Sequence, residues 1–134
     1  MTKLEIIPLE GIPEISPGDD LVEIIGQLDT IQSGDILVVT QKIISKAENQ
    51  MVDIDPNDPL SHKPLVERES VRILRRRGDL IISQTKHGFV CANAGIDLSN
   101  VERGQAALLP DDSDRSARRL RDGLAGRFQL DVGI

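Results

Sequence analysis

Ser33-Gly34-Asp35-Ile36-Leu37-Val38-Val39-Thr40 is the stretch on which the architecture turns. Ser-Gly-Asp breaks the chain, and the four aliphatic residues after it form an uninterrupted apolar run, as a strand covered on both faces requires. Just upstream, Leu21, Ile24, Ile25 and Leu28 recur at i, i+3, i+4 and i+7 and so share one helical face. Asp19 is placed to cap that helix, with Asp20 and Glu23 near its positive N-terminus. Further upstream, Leu4 to Leu9 reads as a short strand that ends in the turn-rich segment from Glu10 to Gly18.

Downstream, the polar stretch Asp53 to Pro64 predicts an exposed loop, because Asp55-Pro56 and Asp58-Pro59 disfavour helix before each proline. Pro64 suits a first helical turn. Leu65, Val66, Ile73 and Leu74 then supply apolar positions, Arg75, Arg76 and Arg77 fall at the negative C-terminal end, and Gly78 closes the helix. Leu80-Ile81-Ile82 predicts a second buried strand. A glycine-bearing loop runs from His87 to Asn100, and Ser113 can cap a third helix that carries Ala117, Leu120 and Leu124 and ends at Gly126. Phe128 to Val132 predicts a final strand. The order strand, helix, strand, helix, strand, loop, helix, strand argues for an α/β fold, a layered mixed sheet with flanking helices, in one domain spanning 1–134. A largely parallel, buried sheet is expected from the apolar runs.

Composition narrows the partners. The 134 residues include 16 Lys and Arg against 22 Asp and Glu, a net charge of −6, which repels polyphosphates at long range and argues against nucleic acid or an anionic membrane. An anionic ligand must therefore meet local cations. With two Phe, no Trp and no Tyr, the core rests on branched aliphatic side chains. Cys91 is the single cysteine, which rules out an intramolecular disulfide. With that single cysteine and a start, Met1-Thr2-Lys3, lacking the apolar stretch of a signal peptide, a cytoplasmic location is expected. No apolar run approaches the roughly 20 residues that span a bilayer, so a soluble protein is expected.

Two segments carry candidate chemistry. In His87-Gly88-Phe89-Val90-Cys91-Ala92-Asn93-Ala94-Gly95-Ile96-Asp97-Leu98-Ser99-Asn100, small residues let the backbone approach a ligand. Asp97 offers a hard oxygen to a cation such as magnesium, while Asn93, Ser99 and Asn100 add hydrogen bonds. A tight turn between two strands, with Asp97 and Asn100 satisfying loop backbone groups, is the alternative, and spacing alone favours it. In Thr40-Gln41-Lys42-Ile43-Ile44-Ser45-Lys46-Ala47-Glu48, which follows a predicted strand, Lys42 and Lys46 share a face if the segment is helical and can counter phosphate charge; a solvated amphipathic turn is the alternative. His62 reads as loop surface, Cys91 as a small buried hydrophobe, and neither a P-loop nor a G-x-G-x-x-G sequence occurs.

Taken in order, Ile12-Pro13-Glu14, Gly18-Asp19-Asp20-Leu21, Gly34 to Val39, Ile44 to Glu48, His87 to Asn100, Leu108-Leu109-Pro110 and Ser116-Ala117 resemble the coenzyme F420:L-glutamate ligase family, with HGFVCANAGIDLSN the most specific part. The resemblance implies the N-terminal portion of the gamma-glutamyl ligase fold. It implies an enzyme that uses GTP and a divalent cation, magnesium or manganese, to add γ-linked L-glutamate to the precursor coenzyme F420-0 through an acyl phosphate, as a homodimer when full length. By the same resemblance, Ile12, Pro13, Glu14 and Ile15 line the nucleotide, Gln41, Lys42 and Lys46 approach its phosphates, Asn100 binds GTP, and Asp97 holds the metal. Two departures accompany it: the segment between Ala47 and Glu69 is short, and a C-terminal part with a second metal-binding Asp is expected but not seen, so this piece alone is expected to be inactive. The competing reading is a non-catalytic nucleotide- or cofactor-binding module derived from such a ligase.

Overall fold

In the computed structural model, residues 3–99 and 103–134 are described. The spacing at Leu21–Leu28 does make a helix, α1, Leu21–Gly26. Its N-cap is Asp20, whose carboxylate accepts from the Glu23 amide at 3.1 Å, while Asp19 accepts from the Ser16 amide at 2.7 Å and closes the preceding turn. Helix α2 spans Gln41–Ala47, and strand β1, Met51–Asp53, follows. Helix α3, Lys63–Glu69, leads directly into strand β2, Ser70–Arg77, and then β3, Leu80–Thr85, and β4, Val90–Ala92. A 3₁₀ turn over Asn93–Gly95, strand β5, Gln105–Ala107, and helix α4, Ser113–Phe128, complete the order.

The fold is mixed α/β with helices flanking sheet, as expected, but the sheets are antiparallel. β1 pairs with β5, and β2, β3 and β4 form a second sheet in that order. The expected helix from Pro64 to Arg77 is the main correction. Its second half is β2, paired with β3 from Ser70↔Thr85 to Arg77↔Leu80 across a turn at Gly78, whose φ is 56°. A tight turn between adjacent strands enforces antiparallel pairing. Ser70 fixes the change of structure: its hydroxyl donates to the Val66 carbonyl at 2.5 Å and lies 2.7 Å from the Ser83 hydroxyl on β3. Arg75, Arg76 and Arg77 therefore lie on an edge strand, where charge opposes pairing with further strands. The helix dipole does not explain them.

The run Ile36 to Val39 is covered on one side only. Leu37 is buried, whereas Ile36 and Val38 are 77% and 92% exposed. Among the described residues its ladder is one parallel bridge, Ile36↔Gly133. Phe128, expected to open a strand, closes α4 instead, and Leu4 to Leu9 joins no strand ladder among the described residues. At the other end of α4 the N-cap is Asp112, one residue before Ser113. Its carboxylate accepts from the Arg115 amide at 2.8 Å, and Gly126 lies inside the helix rather than ending it.

Two apolar clusters result. Ile25, Ile31, Leu37, Leu120, Leu124 and Val132 form one, between α1, α4 and the Ile36 segment. Val66, Ile81 and Ala94 form the other, between α3 and the second sheet. His62 is buried beside α3, contrary to its reading as loop surface; burial, with Lys63 beside it, pushes its imidazole down from the usual range. Cys91 is half-buried, and burial pushes its thiol up.

Candidate functional site

The second predicted segment folds as α2, and its inner face is tied to β5. Ser45 is fully buried and donates to the Leu108 carbonyl at 2.5 Å; the Gln41 side-chain amide donates to the same carbonyl at 2.9 Å and lies 2.5 Å from the Ser45 hydroxyl. Two side chains thus anchor the helix to the residue just past β5. Gln41 is thereby turned to structural work, toward the protein. At the far end, the Gly18 amide donates to the Ala47 carbonyl at 2.9 Å, which lays the segment before α1 across the end of α2. No sequence signal marked Ser45 as the anchor. Its role depends on a carbonyl more than sixty residues away.

The other predicted segment is shaped by backbone conformations that most residues avoid. Asn93, Ala94 and Gly95 all have positive φ, at 48°, 52° and 72°. The Asn93 side-chain oxygen steadies the turn by accepting from the Ile81 amide and the Lys63 ammonium, both at 3.2 Å. Gly95 is required twice over, for its φ and because a Cβ there would meet the Leu109 side chain at 3.0 Å. Directly after this turn, Asp97 exchanges both backbone hydrogen bonds with Ala107, at 2.9 and 2.8 Å. Since Ala107 also pairs with Met51, Asp97 sits beside β5 on the side away from β1.

These two pieces meet. The Lys42 ammonium lies 2.9 Å from the Asp97 carboxylate and donates to the Ser99 hydroxyl at 3.0 Å. The other Asp97 oxygen accepts from the Ser99 amide at 2.8 Å and its hydroxyl at 2.7 Å. Burial pushes the Asp97 carboxyl up, but Lys42 and the two Ser99 hydrogen bonds outweigh it and hold the group below the usual carboxylate range. One turn further along α2, Lys46 pairs with Glu14 from the preceding loop. Lys46 is largely enclosed, at 13% side-chain exposure, whereas Glu14 is 81% exposed. A cation fixed by the fold thus carries a partner that is free to leave.

Of the predicted site residues, Glu14, Lys42, Lys46 and Asp97 are brought onto one side of α2 as two ion pairs. Ile12 is half-buried, Pro13 is exposed, and Ile15 is buried, so it contributes to the loop's seat. Asn100 lies outside the described residues. Among the described residues no group of three or more His, Cys, Asp or Glu could close around a metal ion, and no helix is long and apolar enough to cross a membrane.

Residues 11–134 match the family described as F420-0:gamma-glutamyl ligase. The chain is 38% identical to a coenzyme F420:L-glutamate ligase of Methanopyrus kandleri, an alignment that covers 98% of this chain and 57% of that protein. It is also 38% identical to the protein of that name from Archaeoglobus fulgidus, over 98% of this chain and 58% of the relative. For Methanothermobacter thermautotrophicus the figures are 38% identity, 87% of this chain and 54% of the relative. The chain therefore spans little more than half the length of these curated relatives.

Proposed function

The chain belongs to the F420-0:gamma-glutamyl ligase family, and from that premise we propose that it is the nucleotide-handling part of a GTP-dependent ligase that adds γ-linked L-glutamate to coenzyme F420-0. The observation that carries the nucleotide reading is the enclosed Lys46 with its exposed, exchangeable partner Glu14, one turn from Lys42. In a chain of net charge −6, this is where a polyphosphate meets two ammonium groups held by one rigid element. Phosphate oxygens replace Glu14 on Lys46 and compete with Asp97 for Lys42. The loop Ile12-Pro13-Glu14-Ile15 borders the nucleotide, Asn100 is proposed to bind GTP, and Gln41 serves the site by docking α2 on the Leu108 carbonyl, which leaves its expected approach to the phosphates to Lys42 and Lys46.

The reaction divides into two displacements. The acceptor carboxylate of F420-0 attacks the γ-phosphorus of GTP, forming an acyl phosphate and releasing GDP. The amine of glutamate then attacks the acyl carbon, forming the amide and releasing inorganic phosphate. Catalysis of the first step is largely positioning and charge stabilisation, which is the part Lys42 and Lys46 perform.

The residues fit a divalent cation only where phosphate oxygens and waters complete its coordination. A closed cage of protein ligands is absent among the described residues, but magnesium is commonly held by one or two carboxylates with phosphate oxygens and waters. Asp97, half-buried beside Lys42, suits that arrangement for magnesium or manganese. When bound, the cation neutralises phosphate charge. The chain's own residues supply Asp97 as ligand and Ser99 to orient it.

The test is calorimetric titration of the chain with GTP in the presence of magnesium, followed by assay of glutamate incorporation into F420-0. Saturable binding abolished by competing GDP supports the reading. Binding with no incorporation even when the unmatched portion of a relative is supplied corresponds to the non-catalytic module, and no binding by the chain or by a full-length relative sinks the nucleotide site. Dimerisation of the full-length enzyme belongs to the same proposal and is read by sedimentation.

A further inference from the structure

A groove of about 890 Å³ runs between the segment Lys3 to Leu9 and the extended run Ile36 to Thr40; Ile12 and Ile43 also line it, while Lys42 and Lys46 do not. Its walls are mostly aliphatic, with Lys3, Glu5 and Asp35 also lining it: Leu4 and Ile6 are 86% and 87% exposed, and Ile36 and Val38 face it from the other side. Its backbone is unusual too. The Leu37 amide donates to Gly133 at 2.8 Å, and the Gly133 amide donates to Asp35 at 2.9 Å. In a strand, alternate residues direct their N–H and C=O to opposite edges. The groups of Ile36 and Val38 therefore point away from Gly133, and among the described residues none of them is hydrogen-bonded. The backbone of Leu4 to Leu9 likewise makes no hydrogen bond among the described residues.

A pocket for a small ligand places a few polar groups among apolar walls. Here the converging polar groups are instead a row of main-chain donors and acceptors on an open strand edge, flanked by alternating aliphatic side chains. That pattern is satisfied by another strand. The relatives of this chain are long enough to contain one, since alignment covers only 57% of the Methanopyrus kandleri ligase and 54% of the Methanothermobacter thermautotrophicus ligase.

We infer that this groove receives an extended aliphatic strand from the part of the ligase that this chain does not span, whether that part is joined to it or is a separate polypeptide. The incoming strand pairs with the free edge of Ile36 and Val38 and is covered by Leu4 and Ile6. The inference rests on family membership and on the groove, not on the nucleotide chemistry, so a failure to bind GTP leaves it standing.

The experiment mixes this chain with the unmatched portion of the M. kandleri ligase, and separately with the corresponding portions from M. thermautotrophicus and A. fulgidus. Complex formation is read by sedimentation and amide hydrogen exchange by mass spectrometry. With the portion at about a hundred times its dissociation constant, exchange at Ile36 and Val38 is expected to slow about a hundredfold. Val38→Asp should abolish the complex while leaving exchange in α4 unchanged. No complex with any of the three portions, or a complex that leaves this segment unprotected or tolerates Val38→Asp, overturns the inference. Protection that rises with the concentration of this chain alone assigns the groove to a second copy and overturns it as well.

Discussion

Lys46 and Asp97 carry the sharpest consequences at the residue scale. If Lys46 donates to phosphate, Lys46→Ala removes a charge-assisted hydrogen bond of about 1.5–3 kcal/mol, and affinity for GTP falls about ten- to a hundredfold by calorimetry. Equal affinities would remove Lys46 from the site. Asp97→Asn keeps the side chain's shape and loses its charge. In a complex that restores catalysis, the manganese concentration for half-maximal glutamate incorporation should rise; superimposable curves would leave Asp97 as a turn residue. The same carboxylate predicts a pH effect. Its pKa lies below the usual value of about 3.9 in the folded state. Its contribution is therefore fully present above that value and is lost as pH falls through the lower folded value. The thermal midpoint of Asp97→Asn should fall less steeply than that of the parent on acidification below about pH 4, and parallel acid limbs would deny Asp97 its partners.

At the scale of elements, close approach of α1 and α4 depends on two glycines. A Cβ at Gly123 would stand 2.5 Å from Cγ2 of Val22, and one at Gly26 would overlap the Phe128 ring. Gly126, on the same helix as Gly123, has nothing within 4 Å of its added carbon. Alanine normally favours a helix interior over glycine by roughly 0.8–1 kcal/mol. Gly126→Ala should therefore raise the thermal midpoint and Gly123→Ala should lower it, and two shifts of the same sign would show that the helices do not meet there. The hairpin β2–β3 teaches the complementary lesson. Ile73 and Leu74 suit a helix extending from Pro64, and Arg75 to Arg77 suit its C-terminus, so local spacing favoured the wrong element. Pairing with β3, together with Ser70 bonded to both Val66 and Ser83, overrides that preference.

For the molecule as a whole, the decisive feature is that the Ile36 to Val39 run has one covered and one open side. Leu37→Ala should cost about 2–5 kcal/mol, as removal of a buried leucine side chain does. Val38→Lys, at a position 92% exposed, should change stability by no more than about 0.5 kcal/mol. Chemical denaturation of the two variants checks this, and comparable losses would restore the two-sided strand that the apolar run suggested. The ion pairs on α2 are likewise a whole-molecule product, because Lys42 and Asp97 come together only when Ser45 and Gln41 dock α2 beside β5 and the Asn93–Gly95 turn aims Asp97 back along it.

The sequence by itself determined the elements whose cause is local: α1 and α4 from apolar spacing, each with its cap one residue from the one expected, the glycine-dependent turn before Asp97, and the mixed α/β class. It also determined the family, through the HGFVCANAGIDLSN segment and the order of the shorter matches. Tertiary structure alone decided which aliphatic side chains are covered, which strands are antiparallel, and which charges meet. A run such as Ile36-Leu37-Val38-Val39 has the same apolar character whether one face or two are buried, since burial is set by what packs against it. Likewise, Lys46 finds Glu14, and Ser45 finds Leu108, through contacts across chain separations that no local pattern encodes.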